Sequence, residues 1–233
     1  MLQVKSLTAH YGDFQALFGI DFDLKQGNIV ALIGANGAGK STFLKSIAGQ
    51  MPNKSGQIRF NSEEISGLAP DHIVREGVSL VPEGRRLFRS LSVEENLKVG
   101  SFAGRQGRWT LDAVYALFPQ LKDKRHVPAT ALSGGQQQMV AIGRGLMSNP
   151  DLLMCDEVSL GLSPAVIKDI YKVFPQLRAE RLSLIVVEQD IDAALGVSDY
   201  VYCFMHGKVT LHGAPSQLTK ERISAAYFGL EAS

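Results

Sequence analysis

The stretch Gly34-Ala35-Asn36-Gly37-Ala38-Gly39-Lys40-Ser41 constrains this chain more than any other. It fits the spacing G-x-x-x-x-G-K-[ST] and follows Asn28–Ile33, a continuous apolar run of the kind that forms a strand covered on both faces. The residues from Lys40 to about Gly49 are expected to be helical. Glycines let successive N–H groups curl inward with no Cβ in the way. The helix N-terminus adds unpaired donors and a partial positive charge. The product is a cradle for phosphate built from Asn36 to Thr42. Lys40 is expected to neutralise the β- and γ-phosphates of a nucleotide, and the Ser41 hydroxyl to ligate Mg²⁺. A plain glycine turn is the competing reading, and the flanking strand and helix decide against it.

A second apolar strand, Leu152–Cys155, ends in two carboxylates, Asp156 and Glu157. In open α/β sheets ligands sit outside the carboxyl ends of the strands. That places Asp156 beside the phosphate loop, where it can hold Mg²⁺. Glu157 is then expected to face the γ-phosphate and to orient or deprotonate the attacking water. A solvated acidic pair at a loop start is the bland alternative, and the first motif outweighs it.

The 233 residues fit one large domain, and 24 Lys+Arg against 23 Asp+Glu leave a net charge of +1. A near-neutral chain is not a general nucleic-acid binder. Cys155 and Cys203 lie inside apolar runs and read as buried free thiols of a reducing compartment. The five histidines are scattered and form no metal-ligand spacing. No apolar run reaches the ~18 residues of a membrane helix. The first five residues alternate like a strand and lack the pattern of a signal peptide.

Strands are expected at Leu2–Thr8, Phe18–Leu24, Gly56–Phe60 and Val78–Val81. From about 87 to 149 the strand signal gives way to helices at Val93–Val99, Leu111–Phe118 and Gln136–Met147, the first two parted by the glycine-rich loop Gly100–Gly107. Beyond it strand and helix alternate: Leu152–Cys155, Ala165–Glu180, Leu184–Val187, Ile191–Leu195, Tyr200–Phe204. Pro175 should kink or shorten the helix that contains it. The expected organisation is a single unit over 1–233 with a helical subdomain inserted at about 87–149.

Leu132-Ser133-Gly134-Gly135-Gln136 opens the helix that ends near Met147. Ser133 is a ready N-cap, and Gln136 completes a capping box. A cap needs no Gly-Gly, so something is expected to approach that backbone closely. With this motif upstream of Asp156-Glu157, the chain resembles the ATP-binding subunits of ABC transporters over essentially its whole length. The resemblance implies a P-loop NTPase core, α/β with a mainly parallel sheet and helices on both faces. It adds an N-terminal antiparallel β subdomain and the helical insertion. It also implies ATP and Mg²⁺ as ligands, and two subunits facing head to tail. Ser133, Gly134, Gly135 and Gln136 would then contact the nucleotide held by a partner's Lys40 loop. Tyr11 matches the aromatic residue that stacks on adenine, and Glu83 stands in the loop that senses the metal.

The chain departs from the common family pattern at five positions, four of them near the nucleotide site and the fifth, Gly145, inside the signature helix. Glu83 replaces glutamine, Gln189 replaces the histidine on the γ-phosphate, Ser163 replaces an aspartate, and Val158 replaces the proline after Glu157. Gln189 can hydrogen-bond a phosphate but cannot become cationic. Glu83 can hold a metal but repels phosphate without one. Losing proline at 158 is expected to cost ~0.4–1 kcal/mol of preorganisation. Gly145, where alanine is usual, should cost ~1 kcal/mol in a helix.

Val81–Arg86, Gln137–Arg144, Ser159–Leu162, Val187–Gln189 and the ending Ala226–Leu230 resemble the group that serves importers of branched-chain amino acids. That implies two transmembrane permease subunits, a second related ATPase subunit or a second copy, and indirectly an external solute-binding protein. The place implied is the cytoplasmic face of the inner membrane. The permease is expected to dock near Glu83–Phe88. The alternatives are a soluble ABC ATPase, whose usual coiled coil or tandem core is missing from the sequence, and an importer of a related solute such as urea or amides.

Overall fold

The structure is a computed structural model and describes residues 1–228. The chain runs β1 (Leu2–Tyr11), β2 (Phe14–Leu24), β3 (Ile29–Ile33), α1 (Lys40–Ile47), β4 (Lys54–Phe60), β5 (Glu63–Glu64), α2 (Pro70–Arg75) and β6 (Val78–Val81). It continues with α3 (Val93–Val99), α4 (Leu111–Leu117), α5 (Pro119–Lys122), α6 (Gly134–Leu146), β7 (Leu152–Cys155), α7 (Pro164–Tyr171) and α8 (Phe174–Ala179). It closes with β8 (Ser183–Glu188), α9 (Ile191–Val197), β9 (Tyr200–Met205), β10 (Lys208–Gly213) and α10 (Lys220–Phe228).

Two sheets organise these elements. One is antiparallel, in the order β2-β1-β4-β5. The other has six strands in the order β10-β9-β3-β8-β7-β6, parallel from β9 to β6 with β10 antiparallel at the edge. This is the α/β fold with an antiparallel β unit that the sequence implies. β3 is buried along its whole length because it lies between β9 and β8 with both faces covered.

Between the two sheets lies an aromatic core. Phe22 of β2 meets Phe43 of α1 at 5.1 Å between ring centroids and Tyr202 of β9 at 4.6 Å. Phe43 also meets Phe204 at 5.5 Å. Phe43 is wholly buried, and Phe43→Ala is expected to cost about 3–5 kcal/mol. A second core covers the other face of the parallel sheet, where α6, α7 and α8 pack with the helical segment.

Some elements differ from expectation. Strict alternation puts Phe18 on the buried face with Ile20, Phe22 and Leu24, yet Phe18 is exposed and Leu17 is buried. The β1–β2 register shifts near Gly19, whose φ is +80°, and such a bulge turns the strand over. The 165–180 helix breaks into α7 and α8, with Pro175 in the first turn of α8, where its missing N–H is no loss. Part of the 100–107 loop, Gly100–Ala103, is a 3₁₀ turn. Of the motif Ala226–Leu230, the last two residues lie outside the described residues.

Candidate functional site

The phosphate loop is placed by its own glycines. Gly34 has φ +152°, and a Cβ there would fall 2.2 Å from the Phe204 carbonyl oxygen, so only glycine lets β3 leave the sheet beside β9. Gly37 has φ +78° and open space where a Cβ would point. From there α1 starts at Lys40. The turn between β9 and β10 braces the loop, since Gly207 N donates to Ala38 O at 2.9 Å.

Lys40 is buried, and its Nζ donates to Gly34 O at 2.7 Å and Ala35 O at 2.9 Å. Burial lowers its pKa, while the nearby Glu157 and Asp156 charges raise it. Asp156 is buried and accepts a 3.0 Å hydrogen bond from Ser41 Oγ on its Oδ1. Burial raises its pKa; the Ser41 bond lowers it, and the Glu157 and Glu83 charges raise it further. Asp156 is fixed at this place because its N–H continues the β6–β7 ladder, donating to Val81 O at 2.9 Å.

Glu157 has φ +52°, a left-handed conformation uncommon outside glycine. Its Oε1 accepts from Gln189 Nε2 at 3.0 Å, and the same amide reaches Asn36 Oδ1 at 3.0 Å. Glu157, Gln189 and the phosphate loop are thus joined at the carboxyl ends of β7, β8 and β3.

A cavity of about 640 Å³ opens over this loop, lined by Tyr11, Gly37 to Thr42 and Glu157. Tyr11 is half exposed, with its hydroxyl 3.3 Å from Thr42 Oγ1. The wall beyond Tyr11 is apolar: Phe14 and Phe18 line it, with Lys208 Nζ 5.9 Å from the Phe18 ring. The sequence reading missed Phe14, Phe18 and Lys208. The bulge at Gly19 and the His206-Gly207 hairpin turn were their only signals.

The cavity suits a nucleotide: the rings of Tyr11, Phe14 and Phe18, the glycine loop and Lys40 all line it. The donors near Asp156 also suit a divalent metal. Among the described residues no three His, Cys, Asp or Glu side chains converge on a metal position. Ser41 and Asp156 supply two hard oxygens, which matches Mg²⁺, an ion that takes few protein ligands and completes its shell with phosphates and water. Glu83 touches this arrangement through its charge on Asp156.

The Leu132–Gln136 segment lies elsewhere. Ser133 caps α6 in a capping box, with Ser133 N donating to Gln136 Oε1 at 3.2 Å and Gln136 N to Ser133 Oγ at 3.4 Å. Side chains of this chain lie close to both glycines. A Cβ at Gly135 would fall 2.4 Å from Val166 Cγ1, and one at Gly134 would fall 3.2 Å from Arg85 Nη2. Ser133 is exposed and Gly135 is buried. None of the four residues from Ser133 to Gln136 lines the Lys40 cavity.

The loop after β6 is anchored to α6. Arg144 Nη1 donates to Arg86 O at 2.8 Å and Nη2 to Arg85 O at 3.0 Å, and its guanidinium lies 5.7 Å from the Phe88 ring. Arg85 and Arg86 both have positive φ. The buried Asn96 side chain holds Phe88 from both sides, accepting from Phe88 N at 2.9 Å and donating to Phe88 O at 3.0 Å. Arg144 also lines an apolar cleft of about 290 Å³ with Val74, Leu80, Val99 and Phe102. Sequence reasoning missed Arg144, whose role depends on a contact across 58 residues.

Val158, expected as a weakness, is a buried member of the second core. Cys155 and Cys203 are buried free thiols. No helix among the described residues is long and apolar enough to cross a membrane.

The family model described as ABC transporter matches residues 17–159. The high-affinity branched-chain amino acid transport ATP-binding protein BraG of Pseudomonas aeruginosa is 43% identical, over 98% of this chain and 100% of its own length. The probable branched-chain amino acid transport ATP-binding protein LivF of Archaeoglobus fulgidus is 36% identical, over 94% of each. A solved ATP-binding cassette of an ABC transporter superposes with a TM-score of 0.87 over 100% of this chain and 99% of its own, at 24% identity, which speaks to the fold alone.

Proposed function

The chain belongs to the ABC transporter family as an ATP-hydrolysing subunit, and on that premise we propose that it powers an importer of branched-chain or similarly hydrophobic amino acids. The observation that carries the solute class is the 43% identity to BraG along the entire chain.

In this reading adenine stacks on Tyr11 and the phosphates lie along Asn36–Thr42. Lys40 leaves the Gly34 and Ala35 carbonyls and turns its ammonium to the β- and γ-phosphates. Ser41, Asp156 and Glu83 would hold Mg²⁺, which would neutralise phosphate charge. Glu157 accepts a proton from the attacking water as the water oxygen bonds to the γ-phosphorus and the bridging P–O bond to ADP breaks. Gln189 orients Glu157 and hydrogen-bonds a γ-phosphate oxygen. The second ligand shell comes from a partner ATPase, whose Ser133–Gln136 counterpart supplies a helix N-terminus to the γ-phosphate. This fits the location of those four residues away from the Lys40 cavity of their own chain.

ATP closes the pair because it binds both faces, and hydrolysis releases them; only this differential affinity can bias the two states. Two permease subunits receive the motion at the loop Glu83–Phe88 and the adjoining cleft, where Phe102 stands 92% exposed. The second ATPase is a related chain, the solute is delivered by an external binding protein, and the complex sits on the cytoplasmic face of the membrane.

The test is affinity purification of the tagged chain from detergent-solubilised membranes with mass spectrometry of what accompanies it. Two polytopic membrane proteins and a second ATPase are expected. A soluble homodimer alone, from membranes that contain the candidate permeases, would overturn the reading.

A further inference from the structure

Glu188 is a carboxylate with no solvent exposure that the hydrolytic scheme does not use. It is the last residue of β8, and its backbone is paired in register with Ile33, the residue before the phosphate loop. Both of its oxygens are occupied. Ser159 Oγ donates to Oε2 at 2.5 Å, and the Tyr171 hydroxyl donates to Oε1. Ser159 lies two residues beyond Glu157, in the loop that leads to α7, and its carbonyl accepts from Leu162 N at 3.1 Å. Tyr171 ends α7, the helix whose Val166 packs on Gly135. On the other side Glu188 is bonded directly to Gln189, which holds Glu157 and Asn36.

A buried carboxylate is costly unless its lone pairs are met, and here they are met by two hydroxyls from two different elements. An apolar residue would fill the space but would join nothing. The arrangement closes a ring: Glu157, Ser159, Glu188, Gln189 and back to Glu157.

We propose that Glu188 is a positioning residue that makes the 159–163 loop and Gln189 one mechanical unit, so that displacement of that loop by a pairing subunit moves Gln189 and hence Glu157. The inference rests on the reading of Glu157 and Gln189 as the hydrolytic pair. Tyr171, remote from the nucleotide cavity, becomes part of the control of the site through Glu188.

The test is hydrogen exchange of the full-length chain, unsubstituted and as Ser159→Ala or Tyr171→Phe, each of which deletes one oxygen. Either substitution is expected to raise exchange at both 159–163 and 189–193 by at least about threefold, with 34–42 unchanged. In the assembled ATPase Tyr171→Phe is expected to lower kcat with KM for ATP unchanged, and to have no effect on kcat once Gln189 is alanine. Exchange that rises at only one of the two segments would overturn the proposal. So would a kcat loss of equal size in both backgrounds. Binding of a fluorescent ATP analogue is measured alongside: its absence in the unsubstituted chain would remove the nucleotide reading, whereas intact binding with uncoupled exchange would remove only the role of Glu188.

Discussion

Gln189 Nε2 lies 3.0 Å from Glu157 Oε1 and 3.0 Å from Asn36 Oδ1, so one amide bridges the loop after β7 to the phosphate loop. An amide donates to both oxygens at any pH, and an imidazole would do so only when protonated.

It follows that position 189 adds no ionisation to the pH dependence of hydrolysis. Gln189→His should introduce an inflection in kcat between about pH 5 and 8 that the unsubstituted chain lacks. Profiles of kcat against pH for the two chains decide the point, and superimposable curves would contradict the account.

Lys40→Met keeps most of the side-chain volume but removes the ammonium. The Gly34 and Ala35 carbonyls lose their donor, and the phosphates lose theirs. Hydrolysis should fall by about 10²–10³-fold. Steady-state phosphate release, with circular dichroism to show that the fold is kept, measures this.

Gly145 is expected to weaken α6 by its low helix propensity, and the structure sets tight packing against that term. An alanine Cβ would fall 2.9 Å from Leu153 Cδ1 and 3.0 Å from Val81 Cγ2. The ~1 kcal/mol of helix propensity that Gly145→Ala supplies is offset by overpacking against β6 and β7. Thermal unfolding should show a Tm unchanged or lowered. A rise of about 2–4 °C, the full propensity gain for a chain of this size, would show that the core yields freely.

Cys155 is wholly buried, and burial pushes its thiol up to about 12. Its pKa in the folded chain is above that in the unfolded chain, so its contribution to stability is complete below about pH 8.5 and is lost as pH rises towards 12. The slope is about 1.4 kcal/mol per pH unit for this one group. Denaturant unfolding between pH 8 and 11 should show the decline, and Cys155→Ser should make it shallower, leaving the share of Cys203, which burial likewise pushes up to about 12. At pH 8 the folded chain should resist alkylation at Cys155 and react on unfolding.

The site was legible where the signal is local. Gly34–Ser41 carries its own strand, turn and helix start, and Leu152–Glu157 carries its strand and carboxylates. Legibility failed where a distant partner decides. Phe18 looks buried by alternation until the bulge at Gly19 turns it towards the cavity. The side chains behind Gly134-Gly135 were not legible: Arg85 lies near the first glycine and Val166 packs on the second, from 49 residues before and 31 residues after in sequence. The strand β10 and the helix α2 were passed over, although the His206-Gly207 turn and Pro70 at a helix start marked them. Glu188 sits in the stretch Val187–Gln189 with nothing nearby in sequence to reveal the two hydroxyls that hold it, since they lie 29 and 17 residues away.

The central claim is that hydrolysis at Glu157 drives uptake of a hydrophobic amino acid. The most direct measurement is uptake of radiolabelled leucine by cells that lack this chain, supplied with the unsubstituted chain or with Glu157→Gln. The account predicts that uptake is lost without the chain, returns with the unsubstituted chain and does not return with Glu157→Gln. Uptake that survives deletion, or that Glu157→Gln restores in full, would contradict it.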